Sequence, residues 1–545
     1  MERLNNSYSP YPWRSALVGC LIALSGMPIG YAASIVSPEP ATGWQEKPVV
    51  NAERFMAVTA HPLATRTAVD VLADGGSAVD AAVAAQMVLN LVEPQSSGIG
   101  GGAFMLYWDA VARRLYALDG RETAPAAADA DYFRDVNGVP LKWHKAVVGG
   151  RAVGVPGTLH LLHTAHDLFG VRSWADLLEP AITLAIAGFA VSPRLAQSIA
   201  GAADRGLRQF PAARRYFFDE NGKPLKAGFM LRNPAFANTL RMIAQQGIEP
   251  FYQGPIASRL VKTLESTSEL PALMTREDLS EYRTILRPPV CASYRSYSVC
   301  GIGPPSSGML TVGQILGLVE RFDLPNMGPN PDSIHLILEA SRLAFADRAR
   351  YMADSDFVPV PVVGLLDSDY LARRSRIIRA ESSIGKAPAG NPPGVLTANA
   401  TIYQLETNGT SHLSVIDHLG NIVSMTTTIE SGFGSRLMTD GFLLNNELTD
   451  FSFVGERDGL EVANRVEGGK RPRSSMAPTI VFDSHGEPEL EPAEGTVQLE
   501  ATLRGLGHKV RVRDLNSGLH LVQVLAGGHL LSGVDPRREG LAGGD

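Results

Sequence analysis

Two alternating runs of residues restrict the fold of this chain more than any other feature of its sequence. LSVID at 413–417 and IVSMTTTI at 422–429 are separated only by HLGN at 418–421. Apolar residues at every second position fit a strand with one buried face, and so short a connection joins neighbouring antiparallel strands. The sequence therefore predicts a β-hairpin in the C-terminal part of the chain.

Helical patterns dominate the chain before this hairpin. Small and apolar residues recur at helical spacing over 65–74 and 78–92, with Gly75 and Gly76 as the break and Ser77 as the cap of the second helix. Further helices are predicted over 180–187, 234–246, 309–320 and 332–353, and a strand pattern over 288–303. Helices and strands that follow one another in both halves of the chain indicate an α+β layered fold.

The glycine run GIGGGA at 98–103 has the composition of a dinucleotide-binding loop but the wrong context. Such a loop follows a strand and opens a helix, whereas here a helix precedes the glycines and a strand follows them. Close backbone packing explains the run better, and no cofactor is predicted. The chain also has no CxxC pair, HExxH motif or calcium-loop pattern, so no metal site is predicted.

Composition restricts the class of protein and its partners. The chain has 545 residues, of which 45% are hydrophobic and 19% charged, so it is long enough to bury a sizeable core. Its formal net charge of -7 provides no basic surface for nucleic acid. Nucleic acid is therefore excluded as an expected partner.

The N-terminus has the layout of a secretory signal. Arg14 precedes an apolar run over 16–29, and the small residues Gly30, Ala32 and Ala33 follow. The run is too short to span a bilayer comfortably. We expect residues 1–33 to be removed, leaving a periplasmic or secreted protein with no stable membrane insertion; the alternative is an uncleaved anchor.

Cys291 and Cys300 are the two cysteines that remain after removal of the signal. Their spacing allows a disulfide across adjacent strands in an oxidising compartment. Two buried free thiols are an equally acceptable interpretation.

The stretch NGTSHLSVID at 408–417 has two interpretations. Asn408 and Gly409 suit a tight hairpin turn, because both residues tolerate positive φ angles. Alternatively the peptide bond after Gly409 is cut and Thr410 becomes a new N-terminus. The stretch alone favours the turn.

Four separated motifs reverse that preference. DGRETAP at 119–125, GTSHLSVID at 409–417, FLLNNELTDFS at 442–452 and KRPRSSMAPTIVF at 470–482 occur in this order. Together they resemble the γ-glutamyltranspeptidase family of N-terminal-nucleophile hydrolases. The resemblance implies a four-layer αββα fold and self-cleavage before Thr410. It also implies a large chain, 34–409, and a small chain, 410–545, that stay associated.

The resemblance assigns the chemistry to two threonines. A threonine hydroxyl is a poor nucleophile unless a base lies beside it, and an α-amine with a pKa of about 7.7 to 8.0 is such a base on the same residue. Thr410 matches the family's nucleophile, and Thr428 matches the second threonine that hydrogen-bonds it. Gly409 matches the residue before the cut, where the missing side chain leaves room for attack.

The substrate-binding residues are likewise implied by the resemblance. Arg121 matches the arginine that binds the α-carboxylate of the glutamyl group, and Ser474 and Ser475 match the paired serines that support it. Glu447 and Asp450 match the acids that hold the α-ammonium group.

Two features depart from the family pattern. Glu430 stands where many relatives have asparagine, and its carboxylate would favour the ammonium group and repel the carboxylate of a substrate. The family pattern also predicts a segment after about residue 490 that this sequence lacks, including a diglycine whose amides bind the oxyanion. Loss of one such donor costs about 2.7 to 4 kcal/mol of barrier in comparable hydrolases.

The implied function is an exported glutathione hydrolase and γ-glutamyltransferase, with glutathione or a γ-glutamyl amide as donor and water, amino acids or peptides as acceptors. One alternative is a catalytically impaired, uncut relative that only binds γ-glutamyl ligands. The other is an amide hydrolase similar to the cephalosporin acylases.

Overall fold

The computed structural model describes residues 45–267, 271–403, 409–483, 500–508, 518–525 and 527–545. Helices and strands are numbered in chain order. The helices are α1 (Pro62–Ala73), α2 (Ala78–Val92), α3 (Trp143–Ala146), α4 (Thr158–Phe169), α5 (Trp174–Ala187), α6 (Pro193–Ala202), α7 (Pro211–Phe217), α8 (Pro234–Gln246), α9 (Glu249–Tyr252), α10 (Pro255–Glu265), α11 (Arg276–Glu281), α12 (Gly308–Val319), α13 (Leu324–Met327), α14 (Pro331–Tyr351), α15 (Val362–Leu365), α16 (Ser368–Ser375) and α17 (Glu500–Gly505). The strands are β1 (Asn51–Ala52), β2 (Met56–Thr59), β3 (Gly102–Asp109), β4 (Arg114–Gly120), β5 (Phe189–Ala190), β6 (Met230–Leu231), β7 (Ile285–Arg287), β8 (Val290–Tyr294), β9 (Tyr297–Gly301), β10 (Thr410–Ile416), β11 (Ile422–Thr428), β12 (Met438–Thr439), β13 (Phe442–Leu443), β14 (Glu456–Arg457), β15 (Leu460–Glu461), β16 (Thr479–Phe482), β17 (His520–Val524), β18 (Leu530–Val534) and β19 (Leu541–Gly544).

A seven-stranded antiparallel sheet organises the fold, in the order β19-β2-β10-β11-β3-β4-β7. The predicted hairpin is confirmed, because β10 and β11 pair from Ile416 opposite Ile422 to Thr410 opposite Thr428. Four of the seven strands precede residue 409 and three follow it. The parts of the chain on either side of Gly409 therefore share one sheet.

Strand β10 has neighbouring strands on both edges over its C-terminal part. Strand β10 pairs with β11 along one edge and, from Leu413 onward, with β2 along the other. The turn that the sequence offers at Asn408 and Gly409 would precede this doubly paired part of the strand. Asn408 itself lies outside the described residues.

Helices cover one face of the large sheet. Leu413 and Val415 of β10 face a core built with α1, α2, α4, α5 and α8. Helix α2 is buried along its whole length, and it begins at a capping box in which Ser77 and Asp80 exchange hydrogen bonds. Helices that are buried on all sides occupy the centre of a core. The predicted bounds of α2 and of α8, and the cap at Ser77, are confirmed.

The other face packs against smaller three-stranded sheets, β16-β9-β8 and β1-β18-β17. Met56, Phe104 and Ile416 of the large sheet share this second core with Ile480 and Phe482 of β16. Helix α12 contacts β8 and β9, and α14 and α16 pack on α12. The order of layers is helix, sheet, sheet, helix, so the predicted α+β fold with four αββα layers is confirmed.

Cys291 and Cys300 lie opposite each other on β8 and β9 and form a disulfide. The structure thus selects the bridged state from the two that the sequence left open. Among the described residues, no helix is long and apolar enough to cross a membrane. The predicted signal, residues 1–33, falls outside the described part of the chain.

Candidate active site

The candidate nucleophile opens an inner strand of the large sheet. Thr410 is the first residue of β10 and lies opposite Thr428, the last residue of β11. The Thr410 hydroxyl donates to the Thr428 hydroxyl at 3.4 Å, and the Thr428 hydroxyl donates to the Gly409 carbonyl at 2.7 Å. The two hydroxyls therefore form a chain that ends on the carbonyl of the peptide bond expected to be cut.

Backbone groups on both sides hold Thr428 in place. The Glu430 amide donates to its hydroxyl at 2.8 Å. The neighbouring strand β3 follows the glycine run, and a Cβ on Gly101 would collide with the Thr428 carbonyl. A Cβ on Gly102 would collide with the Glu122 carboxylate. Close packing against the site, as the sequence analysis expected, explains these glycines.

Arg121 and two of the predicted acids form one buried cluster. Arg121 follows β4, and Glu447 and Asp450 lie on a 3₁₀ helix, Glu447–Asp450. The guanidinium contacts Glu447 through Nη1 and Asp450 through Nη2, the latter at 2.5 Å. All three side chains are largely buried. The structure thus brings together three residues that the family motifs selected, and pairs them with one another.

Glu122, which sequence analysis did not single out, is a third carboxyl group in this cluster. It is fully buried, and its carboxylate lies 3.8 Å from Arg121 Nη1. Burial raises the pKa of Glu122 to about 7 and that of Glu447 well above its ordinary value. Burial opposes the charge of Arg121, but the neighbouring carboxylates outweigh it and raise the arginine pKa. Its place beside Arg121 in the DGRETAP motif was the available signal for Glu122.

The paired serines lie on a loop that also contacts Arg121. Arg121 donates to the carbonyls of Pro472 and Arg473, both at 3.1 Å. The Ser474 carbonyl accepts from the amide and the hydroxyl of Ser307, the residue before α12. The Ser475 hydroxyl, on a more exposed residue, accepts from Arg348 at 2.7 Å. The loop that carries the paired serines and the residues before α12 therefore hold each other beside the arginine.

Glu430 follows β11 with a φ of 72°, which is unusual for a residue with a side chain. Its carboxylate accepts from the Asn446 amide, and Asn446 also accepts from the Ser431 amide at 3.0 Å. Phe433 and Arg436 in the same segment also have positive φ. Backbone strain of this kind is characteristic of functional segments. The predicted departure from asparagine thus lies next to the threonine pair and is fixed by Asn446.

Charged residues that the sequence analysis missed lie behind the nucleophile. Arg538 donates to the Thr410 carbonyl at 2.8 Å. Glu93 accepts from the Ser411 hydroxyl at 2.8 Å and pairs with Arg194 at 2.9 Å. Glu93 is separated from Ser411 by 318 positions and Arg538 from Thr410 by 128. No local pattern connects residues so far apart.

One group of metal-ligand residue types occurs among the described residues, far along the chain from the threonine pair. His335, Glu339 and His508 are buried and converge at the contact of α14 with the end of α17. His335 Nε2 donates to the Arg379 carbonyl, so its Nδ1 accepts from His508 Nε2 at 2.6 Å. Both ring nitrogens of His335 are thereby satisfied. The group forms a hydrogen-bonded connection between two helices.

Comparison with known proteins identifies the family. The family model described as Gamma-glutamyltranspeptidase matches residues 64–492. A glutathione hydrolase proenzyme of Bacillus subtilis (strain 168) is 38% identical over 478 residues, which cover 86% of this chain and 79% of the relative. An acylase ACY 1 proenzyme of Pseudomonas sp. (strain V22) is 35% identical over 457 residues, covering 82% of this chain and 78% of the relative. A solved structure, cephalosporin acylase from Bacillus halodurans, matches with a TM-score of 0.79 at 25% identity, covering 94% of this chain and 99% of that one. The family indicated by the motifs is therefore confirmed: the chain belongs to the γ-glutamyltranspeptidase family of N-terminal-nucleophile hydrolases.

Proposed function

We propose that this chain is a proenzyme that cuts itself between Gly409 and Thr410 and then transfers γ-glutamyl groups. The donor is glutathione or a related γ-glutamyl amide, and the acceptor is water, an amino acid or a peptide. The observation that carries the proposal is the hydroxyl chain from Thr410 through Thr428 to the Gly409 carbonyl. Two relatives that are themselves named proenzymes support it. The signal-like residues 1–33 support export to the periplasm or the medium.

Self-cleavage begins with attack of the Thr410 oxygen on the carbonyl carbon of Gly409. The Thr410 proton passes to Thr428 as the Thr428 hydroxyl proton moves toward the carbonyl oxygen, where negative charge develops. The ester carbonyl then forms as the C–N bond breaks, and the proton on the former carbonyl oxygen passes to the nitrogen, which becomes the α-amine of Thr410. The resulting ester is hydrolysed by water, which leaves a carboxylate on Gly409 and restores the hydroxyl.

The new α-amine then serves as the base in turnover. It takes the hydroxyl proton as Thr410 attacks the γ-carbonyl of the donor, and it returns that proton to the departing amine. The γ-glutamyl group remains as an ester on Thr410. Water or the amine of an acceptor attacks this ester, and Thr410 leaves as the free hydroxyl.

The buried charge cluster suits a zwitterionic head group. The guanidinium of Arg121 can bind an α-carboxylate, and Glu447 and Asp450 can bind an α-ammonium group. In the structure the guanidinium pairs with both of these carboxyl groups. A zwitterion exchanges one set of charge pairs for another, whereas a simple carboxylate would leave buried acids unpaired. On this proposal the carboxylate of Glu430 adds to the binding of the substrate's α-ammonium group.

The segment that supplies the family's oxyanion diglycine is, on this proposal, absent from the chain. The expected deletion after about residue 490 falls within 484–499, outside the described residues. Loss of one donor slows comparable hydrolases about 100- to 1000-fold. We therefore propose an enzyme whose turnover is slow relative to family members that contain the diglycine.

An acylase of the cephalosporin type is the second candidate. Its support is the similarity of this chain to the acylase ACY 1 proenzyme and to the Bacillus halodurans cephalosporin acylase. Such an enzyme would use the same Thr410 nucleophile on a bulky amide. The acyl group then distinguishes the two candidates, because a glutaryl chain lacks the α-ammonium group of a γ-glutamyl chain.

Matched anilides test the choice directly. We expect hydrolysis of γ-glutamyl anilide to exceed that of glutaryl anilide, and both activities to disappear in Thr410→Ala. The reverse preference would favour the acylase. A folded, uncut wild-type chain that binds γ-glutamyl ligands without turnover would instead establish the impaired relative and refute the proposed function.

A further inference from the structure

The carbonyl of the candidate nucleophile is held by a side chain rather than by a strand. Thr410 pairs with β11, whereas the ladder between β10 and β2 begins only at Leu413. On that other edge Arg538 donates to the Thr410 carbonyl at 2.8 Å. In a β-strand the N–H and the C=O of any one residue point toward the same edge of the strand. The nitrogen that becomes the α-amine therefore lies on the edge that Arg538 occupies.

Arg538 is firmly placed by its own segment. It lies in the connection between β18 and β19, is 7% exposed, and its amide donates to the Asp535 carbonyl at 3.2 Å. A Cβ on Gly518 would lie 3.0 Å from its guanidinium, so the neighbouring backbone packs against it closely. A buried guanidinium held in this way presents its charge at a fixed position.

A carboxylate from another helix completes the arrangement. Glu93, at the C-terminal end of α2, accepts from the Ser411 hydroxyl and pairs with Arg194. The Arg194 amide in turn donates to Glu539, the residue after Arg538. Burial opposes ionisation of Glu93, but the charges of Arg194 and Arg538 and the bond from Ser411 lower its pKa. Two cations, Arg194 and Arg538, and the carboxylate of Glu93 thus lie behind Thr410 and Ser411, and the carboxylate of Glu539 caps the arrangement at the Arg194 amide.

We propose that Arg538 is a positioning residue for the nucleophile: it holds the Thr410 carbonyl and places a fixed positive charge on the strand edge where self-cleavage leaves the α-amine. This inference rests on the proposed function. A nearby cation disfavours the protonated amine, so more of the amine is free base at neutral pH. Glu93 has the opposite charge and partly offsets this effect.

The histidines around this edge do not change charge near neutral pH. Burial lowers the pKa of His61 and His412 to about 4 and that of His520 to about 3. These histidines are therefore neutral throughout the range in which an α-amine titrates. Among the residues that the structure describes, the titratable and charged groups around Thr410 and its immediate supports are His412 on β10, Glu430 after β11, Glu93 after α2, His61 before α1, Arg194 on α6, His520 on β17, and Arg538 and Glu539 between β18 and β19.

Two variants of opposite charge effect test the proposal. We expect Arg538→Gln to move the acid limb of the kcat/KM profile upward by about 0.5 to 1 pH unit, which is about a three- to tenfold loss below the limb. Glu93→Gln should move the limb downward. Arg537→Gln is the matched control, because Arg537 bonds to Asp535 through both Nε and Nη2 and should leave the limb unchanged.

A second readout does not require turnover. Acetic anhydride acylates the free Thr410 amine, and mass spectrometry of the small chain follows the extent of this reaction. The pH at which acylation begins should rise in Arg538→Gln and fall in Glu93→Gln. Arg538→Lys keeps the charge, so its limb should stay at the wild-type position; where Arg538→Gln fails to fold, the downward shift expected in Glu93→Gln decides the outcome. If the acid limb stays in place in Arg538→Gln and Glu93→Gln, or moves in the same direction in both, this inference is overturned and the proposed function is not. An uncut wild-type chain would overturn both this inference and the proposed function.

Discussion

Replacement of Thr428 by valine removes one oxygen and keeps the β-branched shape of the side chain. In the wild type that oxygen donates to the Gly409 carbonyl at 2.7 Å and accepts from the Glu430 amide at 2.8 Å. Removal of a donor to a developing oxyanion costs about 2.7 to 4 kcal/mol of barrier in comparable hydrolases. We therefore expect self-cleavage of Thr428→Val to slow about 100- to 1000-fold.

The same variant should also lose stability. The Gly409 carbonyl and the Glu430 amide belong to buried residues, and each is left without this partner. A buried polar group left unpaired costs about 1 to 3 kcal/mol. The combined cost of the two unpaired groups is smaller than most of the typical range of folding free energies, about 5 to 15 kcal/mol. We therefore expect the variant to fold, with a lower urea midpoint than the wild type.

Thr427→Val is the matched control. Thr427 is fully buried on the opposite face of β11, and among the described residues its hydroxyl has no hydrogen-bond partner. We expect this variant to cleave normally and to be at least as stable as the wild type. Cleavage is followed as the appearance of two chains on a denaturing gel. Equal cleavage rates in the two valine variants would refute the role assigned to the Thr428 hydroxyl.

Three further predictions concern stability. Arg121→Met leaves buried carboxylates such as Glu447 unpaired and should lower the free energy of unfolding by about 3 to 5 kcal/mol in urea titrations, with a smaller loss in Arg121→Lys. Burial lowers the pKa of His520 to about 3, so the unfolded chain binds a proton that the folded chain does not. The contribution of His520 to the free energy of unfolding is therefore present above about pH 6.5 and is lost as the pH falls, by up to about 1.4 kcal/mol per pH unit. Between about pH 6 and pH 5 the free energy of unfolding should depend less steeply on pH in His520→Gln than in the wild type. The double variant Cys291→Ser, Cys300→Ser opens a short disulfide loop and should lose about 2 to 3 kcal/mol in the same titration.

The predictable parts of the fold were those set by local pattern. The alternation in LSVID and IVSMTTTI was enough to predict β10 and β11, because the residue period and the short turn are both local properties. Ser77 was predictable as a cap for the same reason. The motifs also selected Arg121, Glu447 and Asp450, which the structure places in one cluster.

What the sequence did not predict depends on contacts between distant positions. The pairing of Arg121 with Glu447 joins residues 326 positions apart, so this contact could not be derived from either motif. Glu93 and Arg538 lie in ordinary local contexts, at a helix end and in a short connection. Only the sheet order, which places β10 beside β2 and β19 at the edge, brings them behind the nucleophile.

The most direct test of the account is the intact mass of the mature protein, together with the N-terminal sequence of each chain. The account predicts two associated chains, the smaller of which begins TSHLSVID at Thr410. A folded protein that remains one continuous polypeptide across positions 409 and 410 would contradict it.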